Sequence, residues 1–259
     1  RRLLGRLGPR ARVGSTGKRK TMRILGFDTA TSACSAAVWE DGRIAARRFE
    51  PMSRGQSERL MPMVREVLSE AGADFPDLDL LAVTTGPGAF TGLRIGLAAA
   101  RGMALAGDLA CFGVTTLDAV AAGVSETERQ KANVLVVLDS KRAEVYAQAF
   151  RSDLRPLSEV QALMPADLAA LTANGEGDAD RVLVAGDGAG QVIQALKDKG
   201  IEAVLSTAPG VPDAATVAAI AAERWSSDQP AEPLRPLYLR PPDAKASKNG
   251  GEIRPRKGP

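Results

Sequence analysis

Four short stretches of this 259-residue chain could handle a phosphate or a proton. The first is Asp28-Thr29-Ala30-Thr31-Ser32, an acid followed by hydroxyls at the end of an apolar run. Its N–H groups and hydroxyls could meet a phosphate while Asp28 holds a metal-bound water. A strand end whose polar residues cap a turn is the stronger account. The second is Thr85-Gly86-Pro87-Gly88 ahead of a helix, where anions can bind. It lacks the Gly-Lys-Ser/Thr ending of a nucleotide P-loop, and a tight strand-to-helix turn fits it equally well. The third is Gly186-Asp187-Gly188-Ala189-Gly190, also before a helix. A lone glycine turn is a weak signal, and a structural role is favoured. The fourth, Asp139-Ser140-Lys141-Arg142-Ala143-Glu144, offers two carboxylates, although a solvated hairpin tip accounts for both.

Composition narrows the chemistry further. The chain has no histidine, which excludes a Ser-His-Asp triad, a Cys-His pair and imidazole metal ligands. A protease would need a Ser–Lys arrangement, and no motif marks one. The two cysteines, Cys34 and Cys111, lie far apart and form no metal or dithiol motif. They read as buried small hydrophobes in a reducing, cytoplasmic setting. Aromatics are only 4%, against 44% hydrophobic residues overall, so the core must be built from Ala, Val, Leu and Ile. Base stacking on aromatics is correspondingly disfavoured.

The formal charge of +3 is unevenly spread. Residues 1–21 carry +8, residues 241–259 carry +3, and the body from 22 to 240 carries −8. Both ends are expected to be solvated and disordered. Residues 1–21 contain no apolar run fit for a signal peptide or membrane span. They are expected to be a non-native leader ahead of a natural start at Met22.

The elements that must position these stretches follow from periodicity. Apolar runs predict strands at 23–28, 35–39, 44–50, 80–84, 133–139, 144–150 and 181–185. Asp41-Gly42 is a hairpin turn. Leu60, Met61, Val64, Val67, Leu68 and Ala71 share one face of a helix over 57–71. Ser57 is its expected cap, and Pro62 implies a later or kinked start. A second helix runs from the glycine turn to about residue 106. It is apolar nearly all round except for Arg94 and Arg101, and should therefore be buried. Gly92, Gly96 and Gly102 within it each cost about 1 kcal/mol against Ala, so they signal close backbone packing. Helices at 191–199 and 212–224 follow, and residues 237–240 close the fold. The strand-meander-then-helix layout occurs twice. It predicts two similar α/β lobes, 22–120 and 130–240, joined at a charged linker near 125–131.

MRILGFDTATSACSAAVW, GQSERLMPMVREVLSEAG and above all GPGAFTGLRIGLAAARGMA resemble the TsaB (YeaZ) family. LDSKRAEVYAQAF, AGDG and PLYLR fit as well, so the likeness spans about residues 22–240. It implies a duplicated actin-like (ASKHA) α/β fold. It also implies a non-catalytic scaffold for TsaD, the paralogue that transfers threonylcarbamoyl to tRNA adenosine, acting with the ATPase TsaE. TsaD holds its metal on a histidine pair, which this chain cannot supply. The resemblance further implies a four-helix interface built from the helices at 57–71 and 90–106. Its candidate residues are Leu60, Met61, Val64, Phe90, Arg94, Leu97 and Arg101. Gly86, Pro87, Gly88, Gly92 and Gly96 then form a structural turn, and Asp28, Thr29, Gly186 and Gly188 are vestiges of a nucleotide site. No cofactor, metal or membrane contact is expected. Contact with tRNA would run through the complex, and the chain could also pair with itself. Gln56 stands where relatives often carry histidine, and it can still hydrogen-bond. The alternative is a stand-alone ATP-dependent kinase or ATPase of the same fold, resting on Asp28 and the glycine turns.

Overall fold

A computed structural model describes residues 21–130, 132–172, 181–228 and 233–239. The basic stretches 1–20 and 241–259, Lys131 and Arg240 lie outside the described residues. Two five-stranded sheets organise the chain. The first holds β1 (Arg23–Asp28), β2 (Ala33–Glu40), β3 (Arg43–Pro51), β4 (Leu80–Gly86) and β5 (Ala110–Thr115), in the order β3-β2-β1-β4-β5. The second holds β6 (Ala132–Asp139), β7 (Val145–Phe150), β8 (Gln161–Leu163), β9 (Arg181–Ala185) and β10 (Ala203–Leu205), in the order β10-β9-β6-β7-β8. Each begins as an antiparallel meander and continues with two strands parallel to its first. The chain thus builds one mixed sheet twice, which is the duplicated actin-like architecture.

The central strands β1, β4, β6 and β9 read as continuous apolar runs because both faces of each sheet are covered. Asp41 and Gly42 both take positive φ, 42° and 94°, as the two-residue turn between β2 and β3 requires.

Helices α1 (Gln56–Glu70) and α2 (Phe90–Gly107) cover one face of the first sheet. α1 begins at Gln56, not later, and Gly55 at φ 96° is its cap. Ser57 is not the cap; its hydroxyl donates to Glu58 at 2.8 Å. Pro62 lies inside α1 on its exposed side. The carbonyl that lacks an N–H there can turn to water, so the helix is not interrupted. α2 is not buried all round. Gly92, Leu93, Gly96, Leu97, Ala100 and Met103 face inward, whereas Phe90, Ala98 and Leu105 lie exposed.

Beyond β5 come α3 (Thr116–Ala122) and α4 (Glu126–Arg129), then α5 (Ala169–Thr172), α6 (Ala189–Asp198) and α7 (Ala214–Arg224). The expected linker is instead mostly α4, capped by the Ser125 hydroxyl on the Glu128 N–H. α3 and α7 sit between the sheets. Leu117, Val120 and Ala121 of α3 pack on Val134, Val136 and Phe150 of the second sheet. α7, which follows the second sheet in sequence, packs Val217, Ala218 and Ala221 on Ile24, Leu80 and Ala82 of the first. Gly26 makes this approach possible, because a Cβ there would lie 2.5 Å from the Ala214 carbonyl oxygen. Chain order groups 212–224 with the second lobe, whereas its core contacts are with the first.

Residues 233–239 form no strand. They lie along the first lobe, where the Leu237 N–H donates to the Thr85 carbonyl at 2.8 Å. Among the described residues, no helix is long and apolar enough to cross a membrane.

The glycines of α2 differ in what surrounds them. A Cβ on Gly92 would lie 2.0 Å from the Thr29 carbonyl oxygen, while one on Gly102 meets nothing within 4 Å. Gly92→Ala should therefore cost about 3 kcal/mol or more. Gly102→Ala should gain about 0.5–1 kcal/mol. Denaturant unfolding of the two variants checks both signs.

Candidate functional site

The β1–β2 hairpin tip is closed over its first half, whereas Ser32 is exposed. Asp28, Thr29 and Ala30 are buried beneath the start of α2. The Thr29 hydroxyl donates to the Gly92 carbonyl at 2.7 Å, and the Ala89 N–H donates to the Ala30 carbonyl at 2.7 Å. A Cβ on Gly88 would lie 2.3 Å from the Ala30 carbonyl oxygen, and one on Gly96 would lie 2.8 Å from the Thr29 hydroxyl oxygen. Gly86 turns the chain at φ 110° ahead of the cis-bonded Pro87. The Gly-Pro-Gly turn and its helix therefore hold the protein's own carbonyls where a phosphate loop would hold an anion.

Asp28 accepts hydrogen bonds through Oδ1 from the Thr84 hydroxyl at 2.5 Å and from the Ala30 N–H at 3.1 Å. Its buried Oδ2 has no hydrogen-bond partner among the described residues. Burial raises its pKa to about 7, against the lowering effect of Thr84 and Ala30, with nearby Asp213 adding to the rise. Burial also pushes the Cys34 thiol up to about 12 and the Cys111 thiol up to about 11, so neither is an activated nucleophile.

The second-lobe turn packs just as tightly. Gly186 takes φ 109°, and a Cβ there would lie 2.0 Å from the Val137 carbonyl oxygen. The Gly188 N–H donates to that same carbonyl at 3.0 Å. Asp187, raised by burial, accepts from the Asp139 N–H at 2.8 Å. Asp139 pairs with Lys141 at 2.8 Å, and this hydrogen bond holds its carboxyl below the usual range. The Ser140 hydroxyl closes the turn on the Glu144 carbonyl. No group of three or more Cys, Asp or Glu side chains among the described residues could hold a metal ion.

The open surface lies on the far side of α2. Phe90 is 51% exposed and Leu105 88%, and Met61 of α1 is 38% exposed. Leu60, Val64 and Leu97, expected at an interface, are instead closed into the first-lobe core. They can only hold the helices that carry such a face. Arg94 and Arg101 are exposed but occupied. The Arg94 guanidinium sits 3.7 Å from the Phe90 ring centroid, and Arg101 donates to the Leu234 carbonyl at 2.5 Å. Sequence reasoning missed Ala98, Leu105, Tyr238 and Thr84. Ala98 and Leu105 could have been found, because 90, 94, 98, 101 and 105 follow one helical stripe. Nothing local marks Tyr238, which arrives from 144 positions away to contact Arg94.

A family model described as "TsaD: tRNA N6-adenosine threonylcarbamoyltransferase" matches residues 50–225. The tRNA threonylcarbamoyladenosine biosynthesis protein TsaB of Escherichia coli is 42% identical over 132 residues, 51% of this chain and 56% of that protein. An uncharacterized Mycobacterium tuberculosis protein is 34% identical over 224 residues, 86% of this chain and 93% of that one. The solved structure of YeaZ from Pseudomonas aeruginosa superposes with a TM-score of 0.69 at 30% identity, covering 84% of this chain and all of that one. The chain belongs to the TsaB/YeaZ family. The match to the E. coli TsaB spans little more than half of that protein's length. The model bearing the TsaD description starts after the hairpin that holds Asp28 and Thr29.

The buried carboxyl of Asp28 gives a pH signature. A pKa raised to about 7 favours the protonated form in the folded state. Its stabilising contribution is complete below the unfolded value near 4 and is lost as pH rises through about 7. Asp28→Asn should therefore be more stable than the parent at pH 8, by a few kcal/mol at most, with the gap closing toward pH 4. Thermal melts across that range check it.

Proposed function

We propose that this TsaB/YeaZ chain is the non-catalytic dimerisation and scaffold subunit of a complex that makes tRNA threonylcarbamoyladenosine. It binds and activates the catalytic paralogue TsaD, with the ATPase TsaE as a further component. The observation that carries this reading is the exposed row of Phe90, Ala98 and Leu105, open on the outer face of a helix whose inner face seals the first hairpin. A large ring and a large aliphatic side chain stand at its two ends, with Arg94, Ala98 and Arg101 between them. Large apolar side chains left open on one helix face, with arginines between them, have the composition of a protein-binding surface. The inner face supports the same reading, because the Thr29 hydroxyl and one oxygen of Asp28 are spent on internal hydrogen bonds. The chain also lacks the histidines on which the catalytic paralogue would hold a metal. Such a subunit works in the cytoplasm and meets tRNA only through the complex. Two copies could also meet through the same helices, more weakly.

Mixing the purified chain with TsaD should give a complex by size exclusion and raise threonylcarbamoyladenosine formation. Leu105→Glu places a charge in the row and should weaken the complex tenfold or more while leaving the melting temperature near the parent's. If threonylcarbamoyladenosine forms equally well without this chain, the proposal fails. Calorimetry of the isolated chain with ATP and magnesium should register no binding. ATP turnover that disappears in Asp28→Asn would point instead to the stand-alone ATP-dependent enzyme.

A further inference from the structure

Residues 233–239 lie along α2 like a strap, held at several separate points. Arg101 donates to the Leu234 carbonyl at 2.5 Å. The Leu234 side chain packs on the first-lobe core and lies 3.3 Å from where a Cβ on Gly113 would stand. The Leu237 N–H donates to Thr85 at 2.8 Å. The Tyr238 ring lies 5.7 Å from that of Phe90, with its hydroxyl 3.5 Å from Arg94 Nε. The spans agree. Seven residues of helix from Arg94 to Arg101 rise about 10.5 Å. Four residues of extended chain from Leu234 to Tyr238 cover up to about 13–14 Å. The strap therefore runs alongside α2 in the opposite direction and reaches the helix N-terminus.

The strap does not cover the apolar row. Phe90 keeps half its surface, Leu105 stays open, and Tyr238 is itself 45% exposed beside Phe90. α2 contains no acidic residue, and neither Arg94 nor Arg101 has a carboxylate partner among the described residues. On the adjoining β3 and α1, by contrast, Arg48 and Arg59 are each paired with glutamates. We infer that the strap is part of the docking face. Tyr238, Phe90 and Arg94 form an aromatic and cationic corner that receives a carboxylate-bearing face of a different protein. A second copy laid α2 against α2 would bring the uncompensated arginines together, which charge repulsion opposes. Aromatic rings and arginine are also the side chains on which binding energy concentrates.

This inference rests on the docking reading of the previous subsection, and the experiment separates the two. Titration calorimetry with TsaD would compare the parent with Tyr238→Ser, Tyr238→Phe, Arg94→Glu and a chain ending after Asp228, using Leu105→Glu as the reference for docking itself. Tyr238→Ser and Arg94→Glu should each weaken binding about tenfold or more, and Tyr238→Phe should bind like the parent. If Tyr238→Ser binds like the parent while Leu105→Glu does not, the strap is no part of the face and the docking reading stands. Tighter binding by the shortened chain would make the strap a competitor of the partner and overturn the inference. Parent-like binding by every variant, Leu105→Glu included, removes the docking reading as well. Melting temperatures separate lost contacts from lost folding, and Tyr238→Ser carries the test if the shortened chain does not fold.

Discussion

Glycines at 88, 92 and 96 let α2 lie directly on the backbone of the β1–β2 hairpin, and much of the molecule's character follows from that approach. Any side chain at position 92 would drive into a carbonyl oxygen. The helix is therefore fixed in rotation and height relative to β1. Fixing it spends the hairpin's hydrogen-bonding groups internally: the Thr29 hydroxyl, the Ala30 carbonyl and one oxygen of Asp28 are all engaged. A hairpin tip closed in this way turns the Thr29 hydroxyl inward, away from any phosphate, and leaves the Thr31 hydroxyl buried without a partner among the described residues. The same rotation sets which α2 side chains point outward, so closing one surface and presenting another are two results of one contact.

The outward side is divided between two tasks. Its arginines keep residues 233–239 in place, while Phe90 and Leu105 stay open. An arginine stripe on an otherwise apolar helix suggests a partner's carboxylates when seen in isolation. Here each guanidinium first serves its own chain, one through a ring face and the other through a carbonyl. Such contacts leave the positive charge uncompensated, so they do not exhaust what an arginine can bind.

Much of the architecture was legible because it is written in local periodicity. The apolar runs ending in Asp28 and Asp139, the Asp41-Gly42 turn and the glycine-studded helix each announce themselves within a dozen residues. What the sequence concealed was long-range. The Ala-rich face of α7 suits either sheet, and Gly26, Ser35 and Arg47, all distant in the chain, select the first. Nor does hydropathy separate the two apolar faces of α2, since Met103 and Leu105 are alike in character yet one is buried and the other exposed. Short elements such as α3 had only a weak signal, the Thr115 hydroxyl spaced three residues from Asp118.

The exchanged helix also orders the protein's manufacture. Ribosomal synthesis completes all five strands of the first sheet at Thr115, but the helix that covers its second face begins only at Ala214. At about 5–20 residues per second, the roughly 100 intervening residues take about 5–20 seconds to make. During that interval the side of β1 and β4 carrying Ile24, Leu80 and Ala82 has no α7 to cover it. The first half of the chain therefore stays dependent on the second. A nascent chain stalled between the two sheets would present bare apolar surface to chaperones, although every strand of its own sheet had already been made.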